Sequence, residues 1–194
     1  MSKPTKITKE IILEKAFEIA RIQGIEKVSN REIAKKLNSS IRPIYYQFKN
    51  SKELYNELLM KMEVYFYRFL LDNTIDNIPK YKQIGINYIK FAKCETNIFK
   101  VLFMRKSNLV VENFIKQTKE FKEVEQSIKI STNLKNEEIK TFHVKMWIFT
   151  HGLATLVANN TINLTDNQIT ELLSYEFQAL MLLEENPNNK WVLK

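Results

Sequence analysis

Cations at helical spacing mark the stretch from Val28 to Leu54, VSNREIAKKLNSSIRPIYYQFKNSKEL. Arg31, Lys35 and Lys36 alternate with Ile33, Ala34 and Leu37 at intervals of three and four, which puts charge on one side of a helix and apolar groups on the other. Arg42, Lys49 and Lys52 follow closely. Outward cations on short helices neutralise phosphates and release counterions, so a polyanion is one natural partner. Solvated charges on an ordinary helical hairpin produce the same pattern.

Other reactive side chains are sparse. His143 and His151 are the two histidines, eight apart on one expected helix, with no H-E-x-x-H pattern or Cys/His cluster beside them, so no metal is expected. Cys94 is the lone cysteine and has no histidine near it in sequence, which reads as an inert thiol. Three glycines leave no material for a phosphate-cradling loop, and the carboxylate pairs Glu137-Glu138 and Glu184-Glu185 sit near expected helix ends. No catalytic residue and no cofactor are assigned, and an enzyme is not expected.

The elements that must carry the cations are legible. Ser29 and Glu32 form a capping box that starts a helix near Asn30. Asn38-Ser39-Ser40 ends it and caps the next, with Pro43 in the first turn and Ile44, Tyr45 and Phe48 facing inward. Asn50 and Glu53 cap a third helix. Two helices crossing through a short turn make a helix-turn-helix, whose second helix fits the DNA major groove.

Composition agrees with an all-α chain. Only 3 Gly and 4 Pro accompany 44% hydrophobic residues, which leaves little turn chemistry for sheets in 194 residues. Residues 1–54 hold 12 Lys+Arg against 6 Asp+Glu, and the remainder holds 18 against 16, so the basic excess sits in the first quarter. That bias favours a polyanion at this end; solubility or an anionic membrane surface is the other account. No leader and no membrane-length apolar run are read, so a cytoplasmic protein without a membrane partner is expected.

In order, Thr8 caps a helix to about Gln23, with Ile12, Ala16, Ile19 and Ala20 as its core stripe and Gly24 as its stop. A long helix runs from Ser51 to about Asp76 with Leu54, Leu58, Met62, Tyr65, Phe69 and Asp72 in line. Asn77-Ile78-Pro79 breaks the chain, and helices are expected at Lys80 to Cys94, at Ile98 to Phe103, and from Asn108 through Ile130. The last two helices, Asn136 to Asn160 and Thr165 to Glu185, are the candidates for a subunit interface, through Ile169, Leu173, Phe177 and Leu180. Packing of that stripe inside its own chain is the competing account. Gly152 in mid-helix points to a close helix crossing.

Thr8 to Leu54 resembles the DNA-binding domain of the TetR family of bacterial transcriptional regulators. The likeness is carried by Thr8, Ile11, Ala16, Phe17, Gly24, Ser29, Arg31, Ile33, Ala34, Leu37, Ser40, Ile44, Tyr45, Phe48, Lys52 and Leu54. Asn38 departs from the usual turn glycine and Gln47 from a frequent histidine; asparagine tolerates positive φ, so the turn should survive. The resemblance implies a three-helix helix-turn-helix domain at 1–54, followed at 55–194 by a bundle of about six helices for ligand binding and dimerisation.

It further implies that Arg31, Ile41, Arg42, Pro43, Tyr45 and Gln47 face DNA, with Ser40, Tyr46, Lys49 and Lys52 on phosphates. An apolar effector pocket is implied in the C-terminal helices, with Tyr65, Phe69, Tyr88, Phe91, Phe103, Phe114, Met146 and Phe149 as lining candidates. The run from Trp147 to Ala154 resembles the family's penultimate helix and adds Trp147, His151 and Gly152 to the interface. A homodimeric repressor released from a near-palindromic operator by a small molecule is the function implied. The alternative is a helical ligand-binding or interaction module without sequence-specific DNA binding.

Overall fold

A computed structural model describes residues 7–74, 76–104 and 119–185. Among them every regular element is helical: α1 (Lys9–Gln23), α2 (Asn30–Lys36), α3 (Arg42–Gln47), α4 (Ser51–Asp72), α5 (Lys80–Cys94), α6 (Thr96–Phe103), α7 (Lys119–Ser131), α8 (Asn136–Ala158) and α9 (Asp166–Glu185). The all-α expectation holds. Contacts gather the described residues into two compact units, 7–67 with 95–104, and 68–94 with 119–185.

In the first unit the caps act as the sequence predicts. Thr8 Oγ1 accepts from Ile11 N at 3.4 Å, and Ser29 Oγ accepts from Glu32 N at 3.2 Å. Gly24 stops α1 at φ 94, a backbone that side-chain-bearing residues rarely adopt. Ile12, Ala16, Phe17, Ile19 and Ala20 of α1 are buried, together with Ile33, Ala34, Ile44 and Phe48. Asn38 has φ 48, so asparagine supplies the left-handed residue of the α2–α3 turn where glycine is absent.

Helices α1 and α4 run in the same direction, because successive contacts rise together along both. Lys9 pairs with Glu53 at 3.4 Å and with Glu57, Glu14 pairs with Lys61 at 2.7 Å, and the Phe17 ring meets Tyr65 edge-on at 5.1 Å.

Four local expectations need correction. Helix α3 starts at Arg42 with Ile41 as its cap and no side-chain cap bond, so Ser40 does not cap it. Tyr45 is not a core residue: it is 60% exposed, since α3 and its C-cap bury only Ile44 and Phe48, four apart. The buried stripe of α4 is Leu54, Leu58, Met62, Phe66 and Leu70, not one passing through Tyr65 and Phe69, which are half-buried. Helix α4 also ends at Asp72, short of Asp76.

That early stop has a cause. The carbonyls of Phe69, Leu70 and Leu71 take side-chain donors from Asn73 (2.6 Å), Asn87 (3.0 Å) and Lys80 (2.5 Å). Last-turn acceptors satisfied this way need no further helix.

In the second unit α5 is central and its Ile84, Ile86, Tyr88, Ile89, Phe91 and Ala92 are all buried. Tyr81 OH lies 3.0 Å from His143 Nδ1, and Tyr88 OH lies 2.9 Å from His151 Nδ1. Both pairs rise together in number, so α5 and α8 are parallel. Lys90–Asp166 and the contact of Gly85 with Leu173 run the other way, so α9 is antiparallel to α5. A Cβ on Gly85 would sit 3.2 Å from Leu173 Cδ1, whereas one on Gly152 would meet open space. The close crossing within the chain is therefore at Gly85, not at Gly152.

Helix α7 is described from Lys119 and buries Val124 and Ile128. The expected start at Asn108, with Val111, Phe114 and Ile115, lies outside the described residues. No helix among the described residues is long and apolar enough to cross a membrane.

Two outcomes follow from this packing. Asn38→Gly keeps the urea midpoint within about 0.5 kcal/mol of the parent, while Asn38→Ala costs about 1 kcal/mol, because only the alanine is strained at positive φ. Enclosure lowers the His143 pKa from 6.5 to about 4. The unfolded chain then takes the proton first, so this histidine's contribution is complete above pH 6.5 and is lost as pH falls toward 4. Melts across that window should show the loss, and His143→Gln should flatten it.

Candidate nucleic-acid interface

Helix α3 is too short to be stable alone and is held by its two buried side chains, Ile44 (1% exposed) and Phe48 (3%). All other side chains of its surface are outward or marginal. Ile41 is 40% exposed, Tyr45 60% and Tyr46 85%, and Ser40 and Arg42 are exposed, with Pro43 and Gln47 half-buried. Large apolar and aromatic groups thus stand in water beside cations, a combination found at interaction surfaces.

The approach from α3 into α4 is fixed by the second capping residue pair. Asn50 Oδ1 accepts from Glu53 N at 2.9 Å, and the Glu53 carboxylate accepts from Lys49 N at 2.7 Å. The Lys49 amide donating to Glu53 is the largest of the causes that hold its carboxyl below the usual range. Lys49, Ser51 and Lys52 are thereby presented outward at the start of α4.

Charge is sorted within this unit. Glu14, Glu18 and Glu53 are engaged by Lys61, by Lys15 with Lys36, and by Lys9. Arg21 puts two donors on Glu95 at 2.7 and 2.5 Å, and Tyr65 OH donates to the same carboxylate at 2.8 Å. Glu95 is 5% exposed, so these three donors satisfy a buried charge that would otherwise be costly. By contrast Arg31, Arg42, Lys49 and Lys52 form no ion pair among the described residues. The paired acids lie on α1, on α4 and at the cap of α6.

Gln47 is partly diverted: its Nε2 donates to the Ile7 carbonyl at 3.4 Å. The Arg21–Glu95 clamp, 74 residues apart, carries no sequence signal.

The pocket candidates are not gathered in one unit. Tyr65 and Phe103 lie in the first unit, where Phe103 packs on Phe66 at 4.9 Å and Phe99 at 5.1 Å. Phe69, Tyr88, Phe91, Met146 and Phe149 lie in the second, with Phe69 edge-on to Phe91 at 5.2 Å. Phe91 is fully covered by its own neighbours, and Phe114 lies outside the described residues.

The interface candidates also separate. Ile169, Leu173 and Leu180 are 0%, 3% and 7% exposed in the single chain, and Phe177 packs on Phe142 at 5.4 Å. In the single chain this stripe packs into the chain's own core. Trp147 stacks on His151 at 4.8 Å, and Gly152 is exposed. The apolar groups left in water are others: Ile148, 59% exposed, and Leu156, 40%, flank Gly152 at intervals of four on α8, while α9 exposes Tyr175 and Leu182. A period-of-four scan finds them only once burial has removed the stronger stripe.

A small helical head whose second and third helices meet at a tight turn, with an outward cationic and aromatic third helix, is a helix-turn-helix module. Residues 12–58 match the sequence model of the bacterial regulatory proteins of the tetR family. No curated protein sequence matches the chain significantly. Among solved structures, a TetR-like transcriptional regulator from Rhodococcus sp. RHA1 is similar with TM-score 0.60 at 14% identity, over 92% of this chain and 98% of its own. A TetR-family transcriptional regulator from Haemophilus influenzae RD is similar with TM-score 0.58 at 18% identity, over 88% and 94%. The chain thus carries the tetR family's N-terminal module, and its fold is the one that TetR-family transcriptional regulators share.

The two faces of α3 separate by stability. Tyr45→Ala and Tyr46→Ala should leave unfolding free energy within about 0.5 kcal/mol of the parent, whereas Ile44→Ala costs about 2 to 5 kcal/mol. Urea titration of the three variants checks the orientation without any ligand.

Proposed function

We propose that this chain is a homodimeric, DNA-binding transcriptional regulator, a repressor that leaves a near-palindromic operator when a small, largely apolar molecule binds its C-terminal domain. The functional division is a reading head at 1–54 and an effector and dimerisation region at 55–194. One observation carries the reading: α3 and its cap turn Ile41, Arg42, Tyr45 and Tyr46 into solvent, and Arg31, Lys49 and Lys52 are exposed with no ion pair among the described residues.

In a dimer with two-fold symmetry the two α3 helices enter successive major grooves about 34 to 36 Å apart. Arg42 is the base reader, since a guanidinium can pair both acceptors of a guanine edge, and Ile41 meets a thymine methyl. Ser40, Tyr46, Lys49 and Lys52 take phosphates, which fix register without reading sequence. The subunits join through α8 and α9, and the exposed Ile148, Gly152 and Leu156 with Tyr175 and Leu182 support that contact. Gly152 then permits a close approach between partners that nothing among the described residues uses.

Release follows if the effector binds better to a dimer whose heads are spaced wrongly for DNA. The shift is limited by the effector's differential affinity for the two states.

Selection of duplexes from a random pool by the purified full chain should return a near-palindrome. Arg42→Ala then loses about 1 to 3 kcal/mol of discrimination at one position in each half-site. Lys52→Ala weakens operator and random duplex alike and lowers the salt slope by about 1 per head. Equal losses on both duplexes for the arginine variant count against its role, and a chain that retains no duplex overturns the reading.

A further inference from the structure

We propose that Glu53 is a positioning residue for DNA binding: through the bond its carboxylate accepts from the Lys49 backbone N–H, an acid holds the phosphate-facing turn between α3 and α4 in place; this rests on the DNA-binding reading above. The turn is gripped along its length. Phe48, the C-cap of α3, is 3% exposed. Lys49 N donates to Glu53 Oε2 at 2.7 Å, and Glu53 N donates to Asn50 Oδ1 at 2.9 Å. The other carboxylate oxygen, Oε1, lies 3.4 Å from Lys9 Nζ. The same ammonium pairs with Glu57 and stands 5.0 Å from the centre of the Phe48 ring. One lysine of α1 therefore meets both ends of the turn, and the Glu53 carboxylate is clasped between that lysine and the Lys49 backbone.

Glu53 is the third residue of α4, where the free amides of a helix start favour a carboxylate. Lys49 and Lys52, read above as phosphate contacts, stand on the backbone that this clasp fixes. Charge alone argues the opposite way. A carboxylate next in sequence to Lys52 repels a polyanion, so by Coulomb's law its removal strengthens binding. Loss of the clasp instead frees the two lysines and weakens binding. The sign of the effect separates the two accounts.

The test compares Glu53→Ala with Glu53→Gln, which remove the same charge but differ in one acceptor: the amide oxygen of glutamine can still take the Lys49 N–H. Asn50 keeps its bond to the backbone amide at 53 in both, and the urea midpoint of each checks the fold. Binding of the full chain to the operator selected from a random pool and to a random duplex is followed by fluorescence anisotropy from about 50 to about 200 mM salt. Glu53→Ala should bind both duplexes more weakly and keep the preference between them. Its log–log salt slope should be shallower by about 0.9 to 1.8 per head, the loss of one phosphate contact or of both. Over the about fourfold rise in salt it then loses about 3-fold to 12-fold less affinity per head than the parent. Glu53→Gln should lie nearer the parent in affinity and in slope. Tighter binding by both variants, or equal losses in the two, overturns the proposal. So does weaker binding at a parental slope, which reports a smaller folded fraction alone. In each of these cases the DNA-binding reading stands if Arg42→Ala still loosens one position's preference. A parent that retains no duplex overturns both.

Discussion

Helix α3 exists because Ile44 and Phe48 are covered. Six residues form too few internal hydrogen bonds to offset the cost of nucleating a helix, so tertiary burial must supply the difference. Two anchors at an interval of four fix rotation about the helix axis, and everything else on the helix is then free of structural duty. That freedom is what allows Ile41, Arg42, Tyr45 and Tyr46 to stand in water. The exposed face of α3 is thus a consequence of how little of the helix the core needs.

A second constraint is electrostatic. The first unit is basic overall, yet its carboxylates are not scattered: Glu14, Glu18, Glu53, Glu57 and Glu95 all pair with cations of α1, α2 or α4. Most of these pairs are half-exposed and contribute little to stability individually. Their effect is positional. By occupying acids and selected lysines on one side, they leave Arg31, Arg42, Lys49 and Lys52 without an ion pair among the described residues. Glu95 differs, because it is buried at the cap of α6 and draws Arg21 of α1 and Tyr65 of α4 onto one carboxylate. It joins three helices distant in sequence and makes α6 part of the same compact unit as the head.

The second unit is organised by α5, with α8 parallel and α9 antiparallel to it. Both histidines of the chain are met there by tyrosines of α5. Burial lowers the proton affinity of both His143 and His151. Packing α9 on α5 consumes Ile169, Leu173 and Leu180, so the apolar surface still available for association is the weaker stripe around Gly152.

Local chemistry was determined by the sequence itself. Thr8, Ser29 and Asn50 name their helix starts, Gly24 and Asn38 name their turns, and the basic first quarter is visible by counting, because caps, positive φ and composition act over a few residues. The exposed identities on α3 were legible for the same reason, apart from Tyr45, whose aromatic ring alone does not reveal which way a short helix is rotated. Tertiary structure decided the rest. The end of α4 depends on Asn87 and Lys80 reaching its last carbonyls, the clamp on Glu95 depends on residues 74 apart, and the direction of each apolar stripe depends on which neighbour arrives to cover it. Periodicity states that a face will be buried, but a helix with two apolar faces leaves the choice of partner to the packing of the whole unit.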